Sequence, residues 1–422
     1  MSLRVAPSGD HLVRGASPFI LCADTVWSAF ADAETAEWQR YLRLRVSQGF
    51  NAILVSVLPI VDDRSVSRAT RAAFQPAAGP PDAGLDPGYL RAAIALTEAA
   101  VTAGLTPVLI VAWYNYLAGE RAMAAGGRHI LSDDALSSYL DVVTTAFAPY
   151  DPIYAVSGDE SFTQGEAGPY PGLLSAVRKR APSSLTTMHT TPETVLPAPL
   201  AGSAELSFYA YQSGHYQDRP ELPARLAQQY LELAPRKPVM NLEPCYEGHG
   251  YGRGAGRFGA ADVRRALWWS LSAGATAGLG YGAHGLWPWH RPGAHFNGAG
   301  FSGTPFPWDV ALEFPGARAA GLAARLVAEH GLYLARPAQH LVDAPLGQVR
   351  ALATPDLSTV AVYTPYPSEV FVAADLSARS ATALDLARGR PFRPRITLAA
   401  GRARIDLPDF NGDALYLFQA RA

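Results

Sequence analysis

Two runs of this sequence change from apolar to acidic within a few residues. One is Tyr154-Ala155-Val156-Ser157-Gly158-Asp159-Glu160, the other Val239-Met240-Asn241-Leu242-Glu243-Pro244-Cys245-Tyr246-Glu247. Each begins as a buried strand and ends in carboxylates. Two carboxyl groups facing each other across a pocket can cleave a glycosidic bond: one protonates the leaving oxygen and the other attacks the anomeric carbon. Asp159 follows Ser157-Gly158, where glycine permits a tight turn, and is expected to be the general acid/base. Glu243, fixed in direction by Pro244, is expected to be the nucleophile. Glu160 alternates to the opposite side of the chain. The competing structural reading has Asp159 capping a loop and Glu243 paired with an arginine.

Other polar and aromatic residues close apolar runs in the same way. Asp24 and Trp27 end the first run, Trp113 and Tyr114 the third, and His189 the fifth. Gln212 and His215 close the sixth, while the last continues through Tyr281, His284 and Trp287. Tyr246 and Glu247 follow the nucleophile candidate. Flat rings with amides and imidazoles suit a sugar, which offers an apolar ring face and a rim of hydroxyls. All of these except Tyr114 are the expected substrate contacts; Asp24 has the alternative of capping the helix that follows. His189, His215 and His284 could instead suggest a metal, but no HExxH or His-x-x-His spacing occurs, and no metal or cofactor is expected. Gly254, Gly256 and Gly259 match GxGxxG without a strand just before them and read as a flexible loop.

Such residues must be held by strands that share one open end. Eight apolar runs recur: Phe19–Asp24, Ala52–Leu58, Pro107–Trp113, Ile153–Gly158, Leu185–His189, Leu206–Gln212, Pro238–Glu243 and Gly278–His284. Helical periodicity separates several of them. Ala33–Gln48 repeats Trp38, Tyr41, Leu42 and Val46 at three- and four-residue steps, with Asp32 and Gly49 as caps. Tyr89–Ala103 closes at Gly104, and Val263–Ala273 follows Asp262 as N-cap. Continuous apolar strands alternating with helices predict a parallel sheet buried on both faces, and eight of them predict an α/β (β/α)8 TIM barrel. Arg291–Pro315 reads as a long loop over the barrel mouth, and Ala317–His330 as the last helix.

After Pro337 the pattern turns to short alternating strands: Val349–Ala353, Val360–Tyr363, Glu369–Ala373, Arg402–Asp406 and Ala414–Phe418. The expected organisation is therefore a barrel domain over 1–335 and a small antiparallel β-sandwich over 336–422. The chain has 422 residues, 49% hydrophobic and 17% charged, with 35 basic against 37 acidic residues. That near balance provides no field for nucleic acid or an anionic membrane, and no apolar run reaches the ~20 residues that span a bilayer. Met1-Ser2-Leu3-Arg4 shows no leader before Pro7, so a cytoplasmic location is expected unless a leader was trimmed. Cys22 and Cys245 read as buried free thiols on strands that are not neighbours.

Taken together these segments resemble the apiosidase-like glycoside hydrolases. The matching stretches are Pro18-Phe19-Ile20 through Asp24-Thr25-Val26-Trp27, Gln48-Gly49-Phe50-Asn51, Ser157-Gly158-Asp159, Tyr211-Gln212-Ser213-Gly214-His215, Asn241–Glu247 and Tyr281–Trp287. The resemblance implies a retaining mechanism with Asp159 as acid/base and Glu243 as nucleophile, a carbohydrate substrate, and a C-terminal β-domain. Family members commonly carry Gly-Gly-Asp where this chain has Ser157-Gly158-Asp159. A carbohydrate-binding barrel without catalysis, or a metal-dependent hydrolase, are the readings from other classes.

Overall fold

The computed structural model describes residues 2–60, 64–67, 69–74, 84–127, 129–162, 167–344, 348–399 and 401–420. Each apolar run forms a strand: β1 (Leu21–Thr25), β2 (Ala52–Ser56), β3 (Thr106–Trp113), β4 (Ile153–Gly158), β5 (Thr186–Thr187), β6 (Tyr209–Gln212), β7 (Val239–Glu243) and β8 (Gly278–Tyr281). Their hydrogen-bonded order is β6-β7-β8-β1-β2-β3-β4-β5, parallel throughout. Between β5 and β6 the ladder thins to Ser207 and Phe208 N–H donating to Thr186 O at 3.0 and 3.4 Å, so the barrel nearly closes. β5 is shorter than its apolar run because Ser157 intervenes with its hydroxyl. That oxygen donates to His189 O at 2.8 Å and accepts from His189 N at 3.0 Å, replacing backbone pairing.

Eight helices follow the strands: α1 (Thr35–Ser47), α2 (Pro87–Thr102), α3 (Asp133–Phe147), α4 (Tyr170–Arg180), α5 (Ala198–Ala201), α6 (Leu222–Leu231), α7 (Ala260–Ser272) and α8 (Gly316–Glu329). α5 is a single turn, in keeping with Pro192, Pro197 and Pro199 around it. Two caps differ from expectation. Glu34, not Asp32, starts α1, its N–H donating to Glu37 at 3.0 Å; Asp32 ends a separate turn, Ala29–Asp32, and accepts from Thr70 Oγ1 at 2.5 Å. Gly259 starts α7, and Asp262 sits three residues in, accepting the Gly259 N–H at 2.9 Å. The GxGxxG run is no loose loop either: Gly250–Tyr251 pairs antiparallel with Gly256–Arg257. Within the stretch expected to loop over the mouth, His295–Phe296 pairs with Ser65–Val66, and Ala299–Ser302 and Trp308–Ala311 form single turns.

The C-terminal region holds two antiparallel sheets, one of six strands and one of four. Sequence periodicity found five of these strands. It missed Arg379–Asp385, whose alternation is polar at the outer end, and the short pieces Arg336–Pro337, Val342–Asp343, Arg390–Phe392 and Ile396–Ala399. Val360, Val362 and Tyr416 of the larger sheet share a hydrophobic cluster with Val370, Val372 and Ile405 of the smaller. The larger sheet turns its other face, including Ala361, Tyr363, Leu415 and Leu417, to the barrel cluster. Tyr363 stacks on Trp268 of α7 at 6.0 Å, and Asp413 pairs with Arg264 of the same helix at 2.8 Å. At the opposite end, Leu3–Val5, Leu12–Arg14 and Ser17–Phe19 form a small sheet that the sequence did not signal. Arg14 ties it to Thr106 at the start of β3, away from the mouth.

Asp24 was expected to hold sugar hydroxyls, and here the structure corrects the sequence. Its carboxylate is fully buried and pairs with Arg45 of α1 at 2.6 Å, so it faces the helix layer. Arg45 also donates to Gln48 Oε1 at 2.6 Å and to Leu312 O at 2.9 Å, binding strand, helix and the mouth segment together. Alternation along β1 explains the outcome, since Asp24 lies on the side opposite its neighbours Ala23 and Thr25. Removing one partner leaves the other charge buried and unpaired, which costs about 3–5 kcal/mol. Asp24→Ala should therefore lower the unfolding free energy measured by urea denaturation by that amount, while a paired Asp24→Leu/Arg45→Met replacement should lose less. A single variant as stable as wild type would show that the pair does not fasten α1.

Candidate active site

The carboxylates at the ends of β4 and β7 enter one cleft of about 470 Å3 at the barrel mouth. Its walls include Trp27, Trp113, Arg121, Asp159, Gln212, His215, Tyr216, Glu243, Tyr246, His249, Trp287 and Phe301. Glu243 is 7% exposed at its side chain and Asp159 23%. Neither is aimed there by regular strand alternation.

Glu243 reaches the mouth through a bulge. Along β6 and β7, Tyr211 pairs with Asn241 but Gln212 pairs with Glu243, so Leu242 is an extra residue in the ladder. Asn241 reaches Ser270 of the helix layer at 2.9 Å. Glu243, two residues on, would share that side in an unbroken strand, and the bulge re-aims it. Asp159 uses a different device. It adopts φ +52°, the left-handed region that Asp tolerates better than most residues. Gly158, credited with the turn in the sequence reading, serves another purpose: a Cβ there would lie 2.3 Å from the Trp113 ring.

Two imidazoles hold Glu243. The N–H of Asp159 donates to His189 Nδ1 at 2.9 Å, so in the neutral ring the proton resides on Nε2. Nε2–H then donates to Glu243 Oε2 at 2.9 Å. His215 repeats the arrangement. The Tyr246 N–H donates to its Nδ1 at 3.2 Å, and its Nε2–H donates to Glu243 Oε1 at 3.2 Å. Burial raises the Glu243 carboxyl, yet these donors outweigh it and hold the group at about 2. Asp159 moves the other way: burial raises it and the Glu243 charge adds, against the opposing pull of Arg121 and His189. Both ring nitrogens of His189 and of His215 are thus occupied by hydrogen bonds. Among the described residues no group of three or more His, Cys, Asp or Glu side chains converges as a metal-ligand set.

The expected substrate contacts divide into two groups. Trp27, Trp113, Gln212, His215, Tyr246 and Trp287 line the cleft, and His189 is packed behind it between Trp27 and Trp113, with ring centroids at 5.4 and 5.6 Å. Tyr246 accepts from Trp27 Nε1 at 3.1 Å, and burial together with the Glu243 charge raises its hydroxyl well above its ordinary value. Gln212 Oε1 and Trp287 Nε1 are buried polar atoms with no protein partner. Glu247, Tyr281 and His284 are not in the cleft. Glu247 accepts from Tyr281 Oη and Gly316 N, both at 2.8 Å, and so docks α8. His284 donates to Gly303 O at 2.9 Å, and burial lowers it to about 3. All three were expected to touch substrate, and all three instead knit the mouth segments together. Glu160 likewise turns away, accepting from Tyr170 Oη at 2.8 Å.

Sequence reasoning missed Arg121, His249, Tyr216 and Phe301. Arg121 lies on a short helix between β3 and α3, where sequence periodicity gives no signal. His249 follows Tyr246 closely, and its ring stacks on His215 at 4.0 Å. Phe301 is 62% exposed on the segment over the mouth, and an aromatic in a Gly-rich loop was the signal available.

Comparison with known proteins places this geometry. The family profile described as "Apiosidase-like, catalytic domain" matches residues 7–333. A solved structure described as a glycoside hydrolase superposes with a TM-score of 0.81 at 19% identity, covering 99% of this chain and 97% of that one. A glycoside hydrolase family 5 protein from Bacteroides vulgatus ATCC 8482 also superposes at 0.81, with 20% identity and coverage of 99% and 93%. A glycoside hydrolase family 5 mannosidase from Rhizomucor miehei gives 0.52 at 10% identity, covering 79% and 99%. At these identities the superpositions establish the shared barrel fold. A search of curated proteins gives no match. With a family match across most of its length, this chain belongs to the apiosidase-like catalytic-domain family and is a glycoside hydrolase.

Proposed function

We propose that this glycosidase works with retention of configuration, Glu243 as nucleophile and Asp159 as acid/base, on plant or microbial oligosaccharides. One observation carries the reading: two carboxyl groups in one cleft are pushed in opposite directions, Glu243 down to about 2 and Asp159 up. Such divergence separates a group that stays ionised from one that can carry a proton. The ionised Glu243 attacks the anomeric carbon while Asp159 passes its proton to the departing oxygen. Water then takes the place of Glu243 and returns a proton to Asp159.

The cleft walls support a sugar in the glycone position. Gln212 and Trp287 flank Glu243 from the neighbouring β6 and from the segment after β8, each with a buried polar atom unmatched by protein. A buried group without a partner costs about 1–3 kcal/mol, and a bound hydroxyl recovers it. The amide oxygen would accept and the indole N–H would donate.

A panel of 4-nitrophenyl glycosides that includes pentosides identifies a usable sugar. On that glycoside Glu243→Ala should lose turnover altogether, and Asp159→Ala should lose about 10²–10⁴-fold in kcat. Azide should restore Asp159→Ala by attacking the glycosyl-enzyme without base help, giving a glycosyl azide of retained configuration. Wild-type rates in both variants, or an inverted first product by NMR, would overturn the assignment. Sugar-induced thermal stabilisation with no turnover across the panel would favour a binding protein instead.

The histidine donors yield a pH prediction. Glu243 must be ionised to attack, so activity falls as pH drops through its pKa, near 2 in the wild type. His215→Phe keeps a flat ring but removes one donor, which should move the acidic limb of kcat/KM upward, toward the ordinary value of 4.5. The same depression means Glu243 contributes stability that is full above pH 4.5 and lost between 4.5 and about 2. Superimposable acidic limbs in the two proteins would count against the donor role.

A further inference from the structure

Arg121 lies on a five-residue helix, Glu120–Ala124, inserted between β3 and α3. Its Nη2 pairs with Asp159 Oδ2 at 2.8 Å, and its Nη1 donates to the carbonyl of the same residue. The guanidinium stacks 4.0 Å from the centroid of Tyr114. Asp159 is therefore held at three points: its N–H by His189, and its carbonyl and carboxylate by Arg121. Those contacts over-determine a backbone in the left-handed region, which costs of order 1 kcal/mol or more.

An acid/base that works twice per turnover must be neutral in the first step and ionised in the second. The charged and titratable groups facing Asp159 come from every side: His189 from just after β5, Glu243 from β7, Tyr216 from the loop after β6, Tyr170 from α4, and Arg121. Glu160 is adjacent, but its carboxylate is turned to Tyr170 and Ser161. Among the described groups, Arg121 is the permanent cation in contact with Asp159. Before attack, the Glu243 charge favours a proton on Asp159. In the first step the proton leaves Asp159 for the departing oxygen, the bond from C1 to that oxygen breaks, and C1–Oε forms. Glu243 is then a neutral ester, and its charge no longer acts on Asp159. The Arg121 charge persists.

We propose that Arg121 is a positioning residue that pins Asp159 and supplies the positive charge against which its carboxylate re-forms for the second step. In that step water oxygen bonds C1, C1–Oε breaks, and the water proton passes to Asp159. This inference rests on the retaining reading above. It concerns which half of the reaction a non-reacting cation serves.

The test compares Arg121→Gln, Arg121→Met and Arg121→Lys with wild type on the 4-nitrophenyl glycoside identified by the panel, and on the 2,4-dinitrophenyl glycoside of the same sugar. Asp159 must be protonated in the first step, so the alkaline limb of kcat/KM should move to higher pH in the two neutral variants, by about 1 unit or more. The dinitrophenolate leaves with little proton help. With that substrate the second step limits kcat, and at pH 5 the neutral variants should lose about tenfold in kcat, with KM falling alongside. Arg121→Lys, which keeps the charge, should recover most of both effects. Limbs that coincide with wild type, a raised KM with unmoved limbs, or a lysine variant no better than glutamine would each overturn the proposal. Retained activity in Glu243→Ala and Asp159→Ala would instead overturn the retaining reading, so the two failures are distinct.

Discussion

The carboxylate of Glu243 is buried at the mouth of an apolar barrel, and ionisation there is tenable because two N–H donors reach it. Those donors exist only if His189 and His215 carry their protons on Nε2. In each ring a backbone N–H pointing at Nδ1 settles the matter, from Asp159 in one case and Tyr246 in the other. A charged carboxylate that accepts such bonds stays charged, whereas one left bare in the same place would take up a proton. The arrangement also ties the two halves of the site together. The residue whose N–H fixes the His189 tautomer is the other carboxylate, so displacement of either acid disturbs the electrostatics of its partner.

Both acids are delivered by irregular backbone. β7 has to turn Asn241 to the helix layer and Glu243 to the mouth, and two residues of regular strand cannot do both. The extra residue at Leu242 resolves that conflict, and Gly280 on β8 accommodates it: a Cβ there would lie 1.9 Å from Leu242 O. Asp159 stands just past the end of β4 in a left-handed conformation, with Trp113 lying against the bare Gly158. Strain of this kind persists where surrounding contacts over-determine it, and His189 with Arg121 provides those contacts.

This explains which parts were legible beforehand. Strands such as Ala52–Ser56 and Ile153–Gly158 are apolar on both faces, and that density is visible in the sequence without knowing which face a side chain takes. The acids that close Ile153–Gly158 and Val239–Glu243 are visible for the same reason. Direction is what a linear reading lacks. Asp24 and Glu247 also end apolar runs, yet one points to Arg45 and the other to Tyr281 and Gly316 N, because face depends on register and on bulges set by neighbouring strands. Arg121 was out of reach for another reason: it belongs to an insertion with no periodicity and meets Asp159 from 38 positions away in the chain. The N-terminal cap of α7 shows the same limit on a smaller scale, since Asp262 does satisfy the end of the helix, but from inside the first turn.

The C-terminal sheets bear on the site through α7. Asn241 of β7 hydrogen-bonds Ser270 on that helix, and the outer side of α7 meets the larger sheet through Trp268, Trp269 and Arg264. All six residues of Thr359–Thr364 are buried, so this strand has one face in the sandwich and the other against the barrel. A strand covered on both faces offers no surface to a glycan. Its contacts instead immobilise the helix that fixes the strand from which Glu243 projects. A half-ångström of freedom in that strand would loosen two hydrogen bonds to histidine at once, and the depression of the Glu243 pKa depends on both. Through α7 the tail therefore takes part in keeping Glu243 ionised.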